Sequence, residues 1–328
     1  MKAAVTGANG FVGKYLTRML LEKGFSVKVL VRSSQSLEEL NSFLNYTNPV
    51  ELTVVTGDIS EKTAIAQLVA DVDLVFHTAA MVSFKKKDRN KMIRTNIDGT
   101  RVVVDTMLEI NPKAKLIHFS SIATLQNRNA SGIINENSFD KPPANSNLYS
   151  VTKFFAELEV WRGINEGLHA NILNPAVILG YDANNRSSSN ILNFFSKKIP
   201  FVPQGKTGFV DVLDVCRASL ELAQSPITSE RFVLCAENLS YADLYQKIQQ
   251  IRNTRHKIRR INPKILIAVA FFSELISLIP GIDIPLTKEM AGSSSKENCY
   301  NGKKIEQNLN FHYTSIDETL RNHLNIKP

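Results

Sequence analysis

Residues 1–13, Met1-Lys-Ala-Ala-Val-Thr-Gly-Ala-Asn-Gly-Phe-Val-Gly13, decide how the rest of the chain is read. A short apolar run, Ala3-Ala4-Val5, breaks into Gly7, Gly10 and Gly13. Lys14-Tyr-Leu-Thr-Arg-Met-Leu-Leu21 then follows with helical periodicity. Strand, glycine turn and helix form the context of a dinucleotide-binding loop. Gly7 takes backbone angles closed to other residues. A small residue at 10 lets the backbone approach a pyrophosphate, and Gly13 lets the helix lie close on the strand. Unpaired N–H groups at the helix start then face the phosphates. By itself the triplet is also what a tight strand-to-helix turn shows, so its surroundings carry the decision.

The nearest surroundings are a second strand, Phe25–Val31, ending in Arg32-Ser33-Ser34. At this point an acidic residue binds the ribose 2′-hydroxyl of NAD, whereas Arg accommodates the 2′-phosphate of NADP. No Asp or Glu occurs between residues 25 and 37, so the pattern predicts NADP(H), with NAD(H) the alternative. A solvated strand-end Arg has the same sequence.

Further strands are predicted at Glu51–Thr56, Asp73–His77, Lys115–Phe119 and His169–Leu173. Helices are predicted at Thr63–Ala70, Lys91–Glu109 and Ser150–Gly163, and a polar loop over 127–147. This alternation predicts a parallel, doubly wound α/β sheet with helices on both faces. Ligands in such sheets lie outside the carboxyl ends of the strands. Gly7, Arg32, Asp58, Ala79, Ser121 and Pro175 all fall there, and that coincidence outweighs any single motif. After Pro175 the pattern loosens. A loop at 180–189, helices at Ile191–Lys198, 215–222, Tyr241–Arg252, Ile265–Ile279 and Ser315–Leu324, a turn at Gly205–Gly208 and a strand at Arg231–Leu234 are predicted. The expected division is residues 1–175 as the dinucleotide-binding domain with the catalytic groups, and 176–328 as a smaller α/β lobe for substrate, with some segments returning to the sheet.

Composition narrows the class. The 328 residues are 43% hydrophobic and 21% charged, which is ordinary for a globular protein with a large core. The net charge of +8 is spread out. Its densest runs, Lys85-Lys-Lys87 and Arg252–Arg260, have no interleaved aromatics, so nucleic acid is not an expected partner. Cys216, Cys235 and Cys299 show no metal-ligand or redox spacing, which points to a reducing, cytoplasmic setting and no metal. The glycines interrupt any signal-peptide core. Ile265–Ile279 is apolar but carries Glu274 and ends at Pro280, too short to span a bilayer. It reads as a helix packed in the lobe, with contact to a membrane surface as the lesser reading.

Tyr149-Ser-Val-Thr-Lys153 sets a phenol and an ammonium at i and i+4 on one helix face. A free Tyr titrates near pH 10, and a nearby cation lowers that value. A Tyr so tuned donates a proton to a carbonyl under reduction or accepts one from an alcohol under oxidation. Ser121, at the end of the fifth strand, is placed to hold the substrate oxygen beside it. His77 and His118 fall in strand patterns and read as satisfied core groups.

The residues Thr6-Gly7-x-x-Gly10-x-x-Gly13, Gly57-Asp58, His77-Thr-Ala-Ala80, Asn96-Ile-Asp-Gly-Thr100, Phe119-Ser-Ser121, Tyr149-x-x-x-Lys153, Asn174-Pro175 and Phe209-Val-Asp-Val-x-Asp214 resemble, in order, the extended short-chain dehydrogenase/reductases. The resemblance implies a Rossmann fold with Ser121, Tyr149 and Lys153 as the catalytic trio and Asn96 supporting a proton relay through Lys153. It implies cofactor contacts from Asn9, Phe11 and Val12 beside the glycines, from Asp58 and Ile59 near the adenine, from Thr78, Ala79 and Ala80, from Lys153 on the nicotinamide ribose, and from Pro175 and Val177 near the nicotinamide. Sugar-nucleotide dehydratases of the family carry an Asp-Glu pair where Ile122-Ala123 stand here, and epimerases an acid after the second strand. The chain looks more like the dihydroflavonol-4-reductase and 3β-hydroxysteroid dehydrogenase branch, which acts on fairly apolar carbonyl or alcohol substrates. The expected function is an NADP-dependent oxidoreductase. An NAD-dependent nucleotide-sugar epimerase and a non-catalytic NAD(P)-sensing protein are the alternatives. A homodimer is a family expectation.

Overall fold

The computed structural model describes residues 1–45, 51–83, 86–126, 128–139, 147–182, 190–254, 256–276 and 287–324. Much of the two predicted pocket loops, at 127 and 140–146 and at 183–189, lies outside the described residues, as do Lys85 and 277–279 of the predicted apolar helix.

The first half alternates as the periodicity predicts: β1 (Lys2–Thr6), α1 (Phe11–Glu22), β2 (Ser26–Val31), α2 (Ser34–Leu44), β3 (Leu52–Thr56), α3 (Lys62–Val69) and β4 (Leu74–His77). The predicted single helix at 91–109 is α4 (Arg89–Ile93) and α5 (Gly99–Ile110) joined by one π-helical turn, Arg94–Asp98. β5 (Lys115–Phe119), the two-residue β6 (Ile133–Ile134) inside the predicted loop, α6 (Leu148–Asn165) and β7 (Ala170–Pro175) complete it. The second half runs β8 (Val177–Leu179), α7 (Asn190–Phe195), β9 (Phe201–Pro203), β10 (Lys206–Asp211), α8 (Val212–Gln224), β11 (Glu230–Leu234), β12 (Glu237–Ser240), α9 (Tyr241–Ile251), β13 (Arg259–Ile261), α10 (Pro263–Ile276), α11 (Lys288–Ser294), β14 (Cys299–Tyr300), α12 (Lys303–Asn308) and α13 (Ile316–Leu324).

Seven parallel strands form the central sheet in the order β11-β7-β5-β4-β1-β2-β3. Burial on both faces explains the near-continuous apolar strands. α1 and α8 cover one face around Leu16, Leu20, Val215 and Leu222. α3, α5 and α6 cover the other around Ile65, Leu68, Val103 and Val160. The chain leaves β1 towards β3 and returns to β4, so the switch point lies between β1 and β4. A third core around Leu179, Phe209, Leu244, Tyr245 and Leu320 belongs to the lobe.

Three expectations change. Gly205–Gly208 is not a turn: from Lys206 the chain is in β10, antiparallel to β12 and parallel to β8, because Gly208 packs without a side chain against Cys235 and Ala176. The helix read as packed within the lobe, α10, buries Leu266, Ala270 and Ser273 among its described side chains and leaves Ile265, Ile267 and Val269 exposed. His77 is satisfied on both ring nitrogens, but His118 is fully buried with neither nitrogen hydrogen-bonded.

Candidate active site

The site is built at the carboxyl edge of the sheet, from the β1–β4 switch point to the end of β7. Gly7 has φ of +70°, and a Cβ there would stand 2.7 Å from the backbone of Ala79. A Cβ at Gly13 would lie 2.1 Å from the Gly7 carbonyl oxygen. The turn therefore closes only with hydrogen in both places, and Gly10 N–H donates to the Gly7 oxygen at 2.8 Å. Gly10 caps α1 without a side-chain hydrogen bond, and no acid stands in the first turn. A helix start with open N–H groups and no competing carboxylate suits an anion.

The β4 end is tied to this loop. Thr78 Oγ1 donates to the Thr6 carbonyl oxygen at 2.6 Å, and Ala79 N–H donates to Thr6 Oγ1 at 3.3 Å. Thr6 Oγ1 and Thr100 Oγ1 hold the two nitrogens of His77 at 2.8 and 2.9 Å. Burial, with the Lys153 charge, drives the His77 imidazole down to about 3, so it stays neutral and structural. Burial likewise keeps His118 neutral.

Arg32 follows β2 and is exposed; Asp58 follows β3 beside it. Burial opposes ionisation of Asp58, but hydrogen bonds from Ser60 and the Arg94 and Arg32 charges outweigh it and hold the carboxyl below its usual range. Ile59 is buried against Gly99. A cation beside an ionised carboxylate thus flanks the pocket rim where an adenosine ribose would reach.

Asn147 starts α6 by accepting from Ser150 N–H at 2.8 Å, which puts Tyr149 in the first turn. Ser121 caps the short 3-10 turn after β5, its Oγ accepting from Ala123 N–H at 3.1 Å. The structure brings the Tyr149 phenol beside the Ser121 hydroxyl. Burial raises the Tyr149 pKa, only partly offset by the Ser121 hydroxyl. Lys153 contributes no lowering to Tyr149, and its ammonium donates to the Phe119 carbonyl oxygen at 2.6 Å. Burial brings Lys153 down to about 8, opposed by the Glu157 charge. Tyr149 is therefore a protonated phenol at neutral pH.

Asn96 lies in the π turn. Its Oδ1 accepts from Met81 N–H at 2.7 Å, and its Nδ2 donates to the Met81 oxygen and to Thr152 Oγ1. It anchors the segment after β4 against α6. Pro175 ends β7, and Val177 opens β8 against the lobe core.

Beneath the trio lies a group of residues that the sequence reading missed. Glu157 is fully buried. Its carboxylate accepts from Ser120 Oγ, from Thr124 Oγ1 and Asn174 Nδ2 at 2.7 Å each, and from Arg231 at 2.5 Å. Asn174 also donates to the Ser121 carbonyl oxygen at 3.0 Å. The available signal was spacing: residues 149, 153 and 157 share one helix face. Near the glycine loop, Lys14 forms a buried pair with Asp182 at 2.5 Å, which ties α1 to the lobe.

The sequence model of the NAD dependent epimerase/dehydratase family matches residues 3–235. The chain belongs to this family. A putative dihydroflavonol 4-reductase from Synechocystis sp. is 26% identical over 323 residues, covering 96% of this chain and 91% of that protein. The crystal structure of gox2253 superposes with a TM-score of 0.80 at 25% identity over 98% of this chain and 96% of that one. Gre2 from Candida albicans, in complex with NADPH, gives 0.77 at 22% identity over 99% and 97%. The family member described here is an NAD(P)-dependent oxidoreductase of the extended short-chain type, acting on a small-molecule substrate. The glycine cradle, the uncapped α1 terminus and the donor set of Tyr149, Lys153 and Ser121 fit a nicotinamide dinucleotide. Among the described residues no cluster of His, Cys, Asp and Glu is placed to hold a metal ion, and no helix is long and apolar enough to cross a membrane.

Proposed function

We propose that the chain is an NADP(H)-dependent carbonyl reductase, or the reverse alcohol dehydrogenase, with Tyr149 as its general acid/base. The observation that carries this reading is the placement of Tyr149 beside Ser121 at the sheet edge, with Lys153 one helical turn away. A bound nicotinamide supplies or receives the hydride. The Ser121 hydroxyl fixes the substrate oxygen, and the half-buried Tyr149 O–H delivers a proton as charge develops on it. In the alcohol-oxidising direction the same phenol must first lose its proton. The Lys153 ammonium has donors beyond the one spent on Phe119, enough to orient a ribose and steady a phenolate. The NADP preference rests on exposed Arg32, the absence of an acid in its neighbourhood of the sequence, and charge pairing with a 2′-phosphate.

The same reading includes a cytoplasmic setting, in keeping with the three free cysteines, and a homodimer through α5 and α6, where Phe155 and Leu158 face outwards at 40% exposure. Light scattering on the purified chain tests the dimer.

The decisive experiment follows NADPH absorbance over a panel of apolar ketones and aldehydes with wild type and Tyr149→Phe. Turnover by wild type and a loss of about 10²–10⁴-fold in the variant, at unchanged NADPH affinity, are expected. An inert wild type retaining nucleotide would favour the sensing alternative. Retained NAD with no NADP preference would favour the epimerase.

A further inference from the structure

A buried ion pair adds little stability over well-packed apolar residues of similar volume, so a carboxylate sealed in a core calls for another reason. Glu157 is such a carboxylate. Its Oε2 is taken up by Arg231. Its Oε1 receives three donors, and all three lead to the turn that carries Ser121. Ser120 Oγ donates to it directly. Thr124 Oγ1 and Asn174 Nδ2 donate to it at 2.7 Å each. The second proton of the Asn174 amide reaches the Ser121 carbonyl oxygen at 3.0 Å. Residues 120 and 124 bracket Ser121, so one buried oxygen grips the turn on both sides of the hydroxyl.

Glu157 lies on α6, the helix of Tyr149. One turn earlier, Lys153 Nζ donates to the Phe119 carbonyl oxygen at 2.6 Å. α6 therefore holds the chain after β5 at Phe119, Ser120 and Thr124, and the same helix presents the phenol. The separation of the Ser121 hydroxyl from Tyr149 is set inside this frame. Arg231 closes it from β11. Its guanidinium lies over the Phe139 ring at 3.8 Å and donates to the Glu136 carbonyl oxygen at 3.3 Å. Phe139 in turn stacks on Phe154 of α6, with ring centroids 4.4 Å apart. The cation is thus fixed by its own neighbours, and it fixes the Glu157 carboxylate.

We propose that Glu157 is a positioning residue: with Asn174 it holds the Ser121 hydroxyl against Tyr149, so that both reach one substrate oxygen. This rests on the roles proposed above for Tyr149 and Ser121. Glu157 acts through the turn and not on the reacting atoms. A displacement of about 1 Å in such a group costs on the order of 10²-fold in rate. What the turn needs is an acceptor, and a Gln oxygen also supplies one. The Gln amide nitrogen, however, faces the Arg231 guanidinium donor to donor, a conflict that Arg231→Met removes.

The test compares Glu157→Gln/Arg231→Met, which keeps the acceptor, with Glu157→Leu/Arg231→Met, which does not. Ser120→Ala/Thr124→Val cuts the same grip from the turn and leaves the ion pair in place, so it answers if the Leu variant fails to fold. On a carbonyl substrate that wild type reduces, the Gln variant keeps the wild-type kcat. The other two lose at least about tenfold in kcat at unchanged KM for NADPH. In a Ser121→Ala background they lose nothing further, because the group they position is gone. Crystal structures of the cofactor-free variants show Ser121 Oγ displaced from Tyr149 in those two and in place in the Gln variant. Equal losses with and without the Ser121 hydroxyl overturn the proposal, as does a Gln variant as slow as the Leu variant. An unmoved Ser121 in both cut variants overturns it whatever the activity. A wild type inert on every carbonyl substrate removes the reductase reading alone, and the Ser121 displacement then decides the positioning.

Discussion

Glu157 and Arg231 form an ion pair at 2.5 Å with side chains 0% and 7% exposed, and it joins α6, the helix of Tyr149 and Lys153, to the edge strand β11. Glu157 is also one turn past Lys153 and shares Asn174 with the Ser121 backbone. Breaking one side of a buried pair leaves an uncompensated charge, at a cost of about 3–5 kcal/mol. Arg231→Met should therefore lower the urea unfolding free energy by that amount. Arg231→Met combined with Glu157→Gln should recover part of the loss. A single variant as stable as wild type would refute a stabilising pair.

The glycine loop separates binding from folding. Gly13→Ala drives a Cβ onto the Gly7 carbonyl, and overpacking of this kind costs about 1–3 kcal/mol. Loss of measurable NADPH binding by fluorescence titration is expected as well. Gly24→Ala, at φ of +77° with open space around its Cβ, should cost about 1–2 kcal/mol and leave NADPH binding intact. Equal NADPH affinity in both variants would remove the loop from the cofactor site.

Arg32→Ser tests cofactor choice. A charge-assisted bond to a phosphate contributes about 1.5–3 kcal/mol, so NADPH affinity should fall by about 10–150-fold while NADH affinity holds. Equal effects on the two nucleotides would detach Arg32 from the 2′-phosphate.

Lys153 gives a pH signature in the cofactor-free protein. Burial lowers it to about 8 in the folded chain. Unfolded, Lys titrates near 10.4. Between these values the unfolded chain binds the proton more tightly, so folding stability rises with pH. Below pH 8 both states are protonated and the burial penalty is present in full. From about pH 8 to 10.5 this group should add up to about 3 kcal/mol. Unfolding of wild type and Lys153→Met at pH 7, 9 and 10 measures it. Wild type should gain on the variant as pH rises, and a constant gap would refute the shift.

Much of the site was legible because its parts are local. The Gly7–Gly13 spacing, the strand end at Arg32 and the i, i+4 pair Tyr149–Lys153 each lie within one element, and period alone put Ser121 at a strand end. Glu157 was not legible as a network centre, since its partners come from residues 120 and 124 after β5, 174 in β7 and 231 in β11, three segments remote from α6 in the chain. The contacts of Asn96 were not legible either: a π turn aims its amide at Met81 and Thr152, and the pattern of a helix does not show such a turn. Gly205–Gly208 carried turn residues, yet pairing to β8 and β12 made most of it a strand.

By itself the sequence determined the alternating α/β order, the seven-residue glycine cradle and the local pairing of Tyr149 with Lys153, because these follow from period, backbone freedom and side-chain chemistry within a few residues. Only the tertiary structure decided the protonation of Tyr149 and Lys153, the buried Glu157 hub and the exposure of α10. Each of those depends on what the other elements place around a residue, and desolvation and packing are set by neighbours remote in the chain.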